Sequence, residues 1–181
     1  AFDDSDWETV EVPHDWAIAG PFDREHDLQM TKIVADGETQ VSEHTGRTEG
    51  LPHVGVAWYR LRFDSPEAWK DKHVWVEFDG VMSHSEVFCN GWSVGSWPYG
   101  YASFAFDLTG YLNPGGGNVL AVRVDNKPCA SRWYPGAGIY RNVRLVVTDR
   151  VHVAHWGTFV TTPDTPGSDM QDVVVRTTVE N

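Results

Sequence analysis

Along most of the chain, apolar and polar positions alternate with the period of two that a half-buried β-strand requires. Short runs rich in Val, Trp, Tyr and Phe are separated by Gly, Pro, Asn and Asp, the residues that interrupt strands. The pattern predicts strands over 7–12, 57–63, 73–81, 85–90, 92–97, 118–125, 142–148, 151–160 and 173–180. In the second of these, Trp58, Arg60 and Arg62 fall on one face and Tyr59, Leu61 and Phe63 on the other. That is the signature of a sheet packed on one side only. Asn90-Gly91 between two such runs predicts a two-residue hairpin, because a type I′ turn needs positive φ at both central positions. No window carries a sustained 3.6-residue period, so helix is confined to single turns near 65–69 and 107–112. The expected fold is all-β, a two-layer sandwich.

Two segments break the pattern. Residues 17 to 56 hold seven Gly and Pro positions, Gly20, Pro21, Gly37, Gly46, Gly50, Pro52 and Gly55, among many charged groups. They read as one long loop, and loops of this length are commonly functional. Residues 161–169 read as a turn-rich linker followed by a fresh strand pattern. The predicted organisation is therefore a sandwich domain over 1–162, then 163–181 as a linker and the opening strand of a further domain.

Composition narrows the function. A formal charge of −12 among 181 residues opposes nucleic-acid binding, which needs a Lys/Arg footprint to displace phosphate counterions. No apolar run reaches the length of a membrane-spanning helix. Cys89 and Cys129 supply neither a disulfide framework nor metal-ligand spacing and read as ordinary thiols. His152 and His155, three apart on a strand, face opposite sides and cannot share an ion. No metal or cofactor is expected. Nine Trp suit either a sandwich core or a surface that stacks sugar rings; Trp92, Trp97, Tyr99 and Tyr101 are the candidates for such a platform, with Phe104 and Phe106 read as core.

Three blocks carry a resemblance: VEVPHDWAIAGPFD (10–23), LPHVGVAWYRLRF (51–63), and the long run from 76 to 126 that continues into SRWYPGAGIYRNVRL (131–145). In order and spacing they resemble the N-terminal sugar-binding domain of glycoside hydrolase family 2, and the Pro-His-Asp-Trp and Ser-Arg-Trp-Tyr-Pro-Gly-Ala-Gly runs are most similar to β-galactosidase-type members. The resemblance implies a jelly-roll β-sandwich, resembling a galactose-binding domain, followed in the whole enzyme by an immunoglobulin-like domain and a catalytic (β/α)8 barrel. It also implies that this chain is an excised piece, trimmed at both ends. Retaining hydrolysis needs two carboxyl groups about 5–5.5 Å apart. In the family both are barrel glutamates, so no catalytic residue is expected here.

What the resemblance leaves to this domain is help in shaping the substrate pocket. Arg132 and Trp133 sit in the irregular stretch that faces the active site in the family, and Arg132 stands where some members carry an acidic residue that reaches substrate or sodium. Its planar fork suits paired sugar hydroxyls or a barrel carboxylate. Asp15, in the Pro-His-Asp-Trp block, reads either as a cap on loop amides or as a pocket residue. Asp23, at the head of the long loop, is a further substrate-binding candidate. The implied partners are a carbohydrate, a β-galactoside, and the enzyme's own barrel and immunoglobulin-like domain, with a homo-oligomeric parent enzyme as a further expectation; nucleic acid and membrane are not among them.

Overall fold

The computed structural model describes residues 2–19, 22, 23, 25, 28–45, 55–127, 136–164, 167 and 170–181. In chain order the strands are β1 (Leu28–Ala35), β2 (Glu38–Thr45), β3 (Gly55–Asp64), β4 (His73–Phe78), β5 (Ser85–Cys89), β6 (Trp92–Trp97), β7 (Phe104–Asp107), β8 (Gly117–Asn126), β9 (Val143–Thr148), β10 (His152–Thr161) and β11 (Val174–Glu180). A four-stranded sheet, ordered β3-β8-β5-β6, faces a three-stranded sheet ordered β7-β4-β9. The pairings within both sheets are antiparallel. Among the described residues helix is limited to 3-10 turns at Ala17–Ala19 and Glu67–Asp71.

The alternation sets the layers. Tyr59 lies opposite Val122 and Leu61 opposite Leu120 on the inner face, while Trp58 lies opposite Arg123 on the outer one. Val76 and Phe78 of β4 meet Val87 and Cys89 of β5 and Leu120, Val122 and Val124 of β8 in one core. Each large side chain so buried contributes about 1.5–3 kcal/mol of transfer free energy. Cys89 is a buried free thiol, and burial pushes it further above the usual thiol range; Cys129 lies outside the described residues. Leu61 faces inward yet is 53% exposed. The cause is a groove of about 760 Å³ between the edge strands β3 and β9, walled by Leu61, Phe78, Val122 and Leu145 and bordered by Val10 and Val12.

Three expectations change. Residues 7–12 form no ladder despite their alternation. They run along the mouth of this groove, with Val12 exposed and Val10 half-buried, and a strand without a neighbour to pair with gains no inter-strand hydrogen bonds. The predicted long loop, in turn, contains the β1–β2 hairpin. Its turn is Asp36-Gly37, with φ of 53° and 82°, the same chemistry as Asn90-Gly91, where φ is 51° and 87°. β7 was also absent from the predicted strands, although Phe104 is buried and Phe106 packs against the core as expected.

The Asn90 turn rests on a polar knot. Its amide nitrogen donates to the Tyr111 carbonyl and to Asn118 Oδ1, both at 2.8 Å, and its Oδ1 accepts the Val119 N–H at 2.9 Å. Asn118 is 2% exposed. Its Nδ2 donates to Ser65 Oγ and the Gly116 carbonyl, each at 3.0 Å, while its Oδ1 also accepts the Asn113 N–H at 2.8 Å. Three connections are thereby held to one buried side chain.

β10 and β11 form a separate two-stranded sheet. Its register runs from His152 opposite Glu180 and Val153 opposite Val179, through an irregularity, to Thr158 opposite Thr177.

Candidate functional site

One end of the sandwich gathers the residues around the stretch 127–135. Its two roots are tied together. Asn126, the last residue of β8 and 4% exposed, donates from Nδ2 to the Gly136 carbonyl at 3.2 Å. Asp15 holds the second root: its Oδ1 accepts the N–H of Ala137 at 2.9 Å and of Ala17 at 2.8 Å. Around it the backbone of 13–17 runs beside 136–139, with the His14 N–H donating to the Ile139 carbonyl at 2.7 Å and the Trp16 N–H to the Ala137 carbonyl at 3.0 Å. On the other side Met82 and Gly138 exchange both backbone hydrogen bonds at 2.9 Å, and the Asp125 N–H reaches the Ser83 carbonyl at 3.0 Å.

Under this knot, His14 Nδ1 and the Tyr59 hydroxyl are hydrogen-bonded at 2.9 Å, and the rings of His14 and Trp16 lie 5.8 and 6.4 Å from that of Tyr59. Burial, reinforced by the charge of Asp15 and partly offset by a hydrogen bond from the Ile139 backbone, pushes the Tyr59 hydroxyl up to about 12. It therefore keeps its proton at neutral pH and serves as a structural hydrogen-bonding group rather than a base. Gly138 closes the cradle at φ 126°. A Cβ there would overlap the Tyr59 hydroxyl and lie 2.8 Å from the His14 carbonyl oxygen and 3.2 Å from the Trp16 ring.

Of the sequence-predicted site residues, Asp15 is thus seated in the anchor of the 127–135 stretch, in the amide-capping arrangement. Asp23 makes a local turn, its Oδ1 accepting the Glu25 N–H at 2.9 Å, and is exposed. Arg132 and Trp133 lie outside the described residues. The sequence reading missed Asn126, Gly138 and, as more than a core-facing tyrosine, Tyr59. The available signals were an Asn on the inner register of a strand end and a Gly in Pro-Gly-Ala-Gly, neither of which names its partner.

The aromatic candidates do not form one platform. Trp97 stacks on Phe104, with ring centroids 5.8 Å apart and planes 23° from parallel. Trp92, 69% exposed, and Tyr99, 54% exposed, flank opposite ends of β6, a strand roughly 17 Å long at the usual rise per residue. Tyr99 instead pairs edge-on with Tyr101 at 5.6 Å. Among the described residues no three His, Cys, Asp or Glu side chains are grouped to hold a metal ion, and no helix is long and apolar enough to cross a membrane.

With this geometry in view, the likenesses are specific. Residues 3–149 match the family model for the sugar-binding domain of family 2 glycosyl hydrolases. The chain is 48% identical over 162 residues to the β-galactosidase BoGH2A of Bacteroides ovatus, covering 89% of this chain and 17% of that protein. It is 33% identical over 165 residues to a β-glucuronidase of Formosa agariphila, covering 84% of this chain and 15% of that one. The crystal structure of a β-glycosidase from Bacteroides vulgatus superposes with a TM-score of 0.82 at 34% identity, over 99% of this chain and 21% of the other. The chain therefore spans less than a quarter of the length of these relatives. On these grounds the chain belongs to glycoside hydrolase family 2, of which it carries the sugar-binding β-sandwich domain.

Proposed function

We propose that this chain is the non-catalytic sugar-binding domain of a retaining, β-galactosidase-like glycoside hydrolase, and that its task is to present the 127–135 stretch to a substrate pocket whose catalytic glutamates lie on a separate barrel. The observation that carries this reading is the anchoring of that stretch by Asp15 and Asn126 at its roots, since a rigid frame is what a substrate-positioning loop needs. The name of the B. ovatus relative supports galactoside chemistry.

In this reading Arg132 donates its fork to sugar hydroxyls or to a barrel carboxylate, Trp133 offers an apolar face to the sugar ring, and Asp23 contributes from the head of the long loop. Asp15 acts at the pocket through the loop it holds. The sandwich over 1–162 is followed by 163–181 as a linker and the opening strand of an immunoglobulin-like domain, with β10 serving as the partner strand at the junction. The partners are the β-galactoside and the enzyme's own domains, in a homo-oligomeric parent.

The test is direct. Residues 1–181, purified and given a chromogenic β-galactoside, are expected to hydrolyse it no faster than buffer, while the full-length protein turns it over. Hydrolysis by 1–181 alone, surviving repurification, would place the catalytic pair inside this chain and end the proposal.

A further inference from the structure

His152 stands at the start of β10, where the chain leaves the sandwich. Its side chain is 7% exposed. The ring is wedged against β4, with centroids 4.9 Å from Trp75 and 5.3 Å from His73. Its Nδ1 lies 2.9 Å from the Arg150 carbonyl, to which it can only donate. In the neutral ring, Nε2 is then an acceptor, and it is buried without a hydrogen-bond partner. The nearest polar group is the carboxylate of Glu180, the residue paired with His152 across the ladder, with Oε2 3.5 Å from Nε2. Two acceptors face each other across a gap that one proton would fill.

We infer that His152 is a proton-operated latch between the sandwich and the β10–β11 hairpin: protonation at Nε2 joins Glu180 to a ring already seated on Trp75, and so fastens the end of β11 to the sandwich. The latch has something to fasten, because the ladder is interrupted between Val153 and Thr158. The pairs His152–Glu180 and Val153–Val179 form a short stretch isolated from the rest of the hairpin.

The charges around the ring set the sign. Glu180 favours the imidazolium, and the Trp75 ring beside it favours a cation. His73, if also protonated, opposes it. On the link from β9, Asp149 is paired with Lys72, and Arg150 lies 3.4 Å from Asp71, so these charges largely compensate one another. A proton on Nε2 adds the contact to Glu180, so this fastening is present in acid and is lost as pH rises.

The experiment is amide hydrogen exchange on residues 1–181 at pH 7.5 and 5.5, corrected for intrinsic rates, a window that stays above the ordinary carboxylate range. Protection at Val179 and Glu180 is expected to rise about fivefold at the lower pH, the upper end for a partly exposed ion pair. In Glu180→Gln the rise is expected to vanish, with β3 and β8 amides unchanged as the internal sign of an intact sandwich. Equal protection at both pH values in the unmodified chain overturns the latch. So does a rise that persists in Glu180→Gln.

Discussion

Replacing Gly138 by alanine is expected to lower the stability of the chain by about 4 kcal/mol, a sum of a strained positive φ and an overpacked contact. For a chain of this size that is a fall in Tm of about 8–16 °C. Two features combine at this one position. The backbone has φ of 126°, where a side chain is strained, and the space a Cβ would need is occupied by the Tyr59 hydroxyl, the His14 carbonyl and the Trp16 ring. Backbone atoms supply part of that wall, so a rotamer change cannot clear it. Gly167 is the control. It has φ of 82° but nothing within 4 Å of its added Cβ, and its alanine variant should carry the strain alone, about 1 kcal/mol. Thermal melting of the two variants separates the terms. Equal, small losses would mean that the 13–17 and 136–139 segments are not packed together as described.

The second large effect is expected at Asn118. Asn118→Leu keeps the branched shape but removes every hydrogen bond of the buried amide, leaving the Asn113 N–H, the Asn90 amide and Ser65 Oγ without that partner. Unpaired polar groups in a buried site cost about 1–3 kcal/mol each where water cannot reach them. Relief by solvent at the more exposed members brings the expected total to about 3 kcal/mol, with a Tm lower by about 6–12 °C. Urea unfolding measures it. A shift in midpoint at constant slope is the expected form, since the sandwich as a whole still unfolds from the same compact state. A loss below about 1 kcal/mol, typical of a surface substitution, would contradict the knot.

The sandwich was legible where a local rule had a local cause. Period-two alternation located eight of the strands, and the Tyr59, Leu61, Phe63 face was read correctly because the pleat alone decides it. Asn90-Gly91 marked its hairpin for the same reason. Asp36-Gly37 carries an equal signal, masked because Gly, Pro and charge dominate 17–56 as a whole. Residues 7–12 failed in the opposite direction: alternation measures fitness for a ladder, and whether a neighbouring strand is available is a property of the fold.

The site was legible only in part. The resemblance pointed to Asp15, Asp23, Arg132 and Trp133, and loop chemistry alone offered Asp15 as an amide cap. That its amides would include Ala137, 122 positions away, has no local signature. Gly138, Asn126 and the His14–Tyr59 pair are likewise set by contacts between distant segments, and His152 became notable only once Glu180 stood across the ladder from it.

The most direct measurement is the steady-state kinetics of the full-length enzyme carrying Arg132→Ala, with a chromogenic β-galactoside as substrate. If the sandwich holds the 127–135 stretch against the sugar, kcat/KM falls about tenfold or more, the equivalent of ~1.4 kcal/mol of lost transition-state binding, while Tm is unchanged. An unaltered kcat/KM would contradict the claim that this end of the sandwich forms part of the substrate pocket.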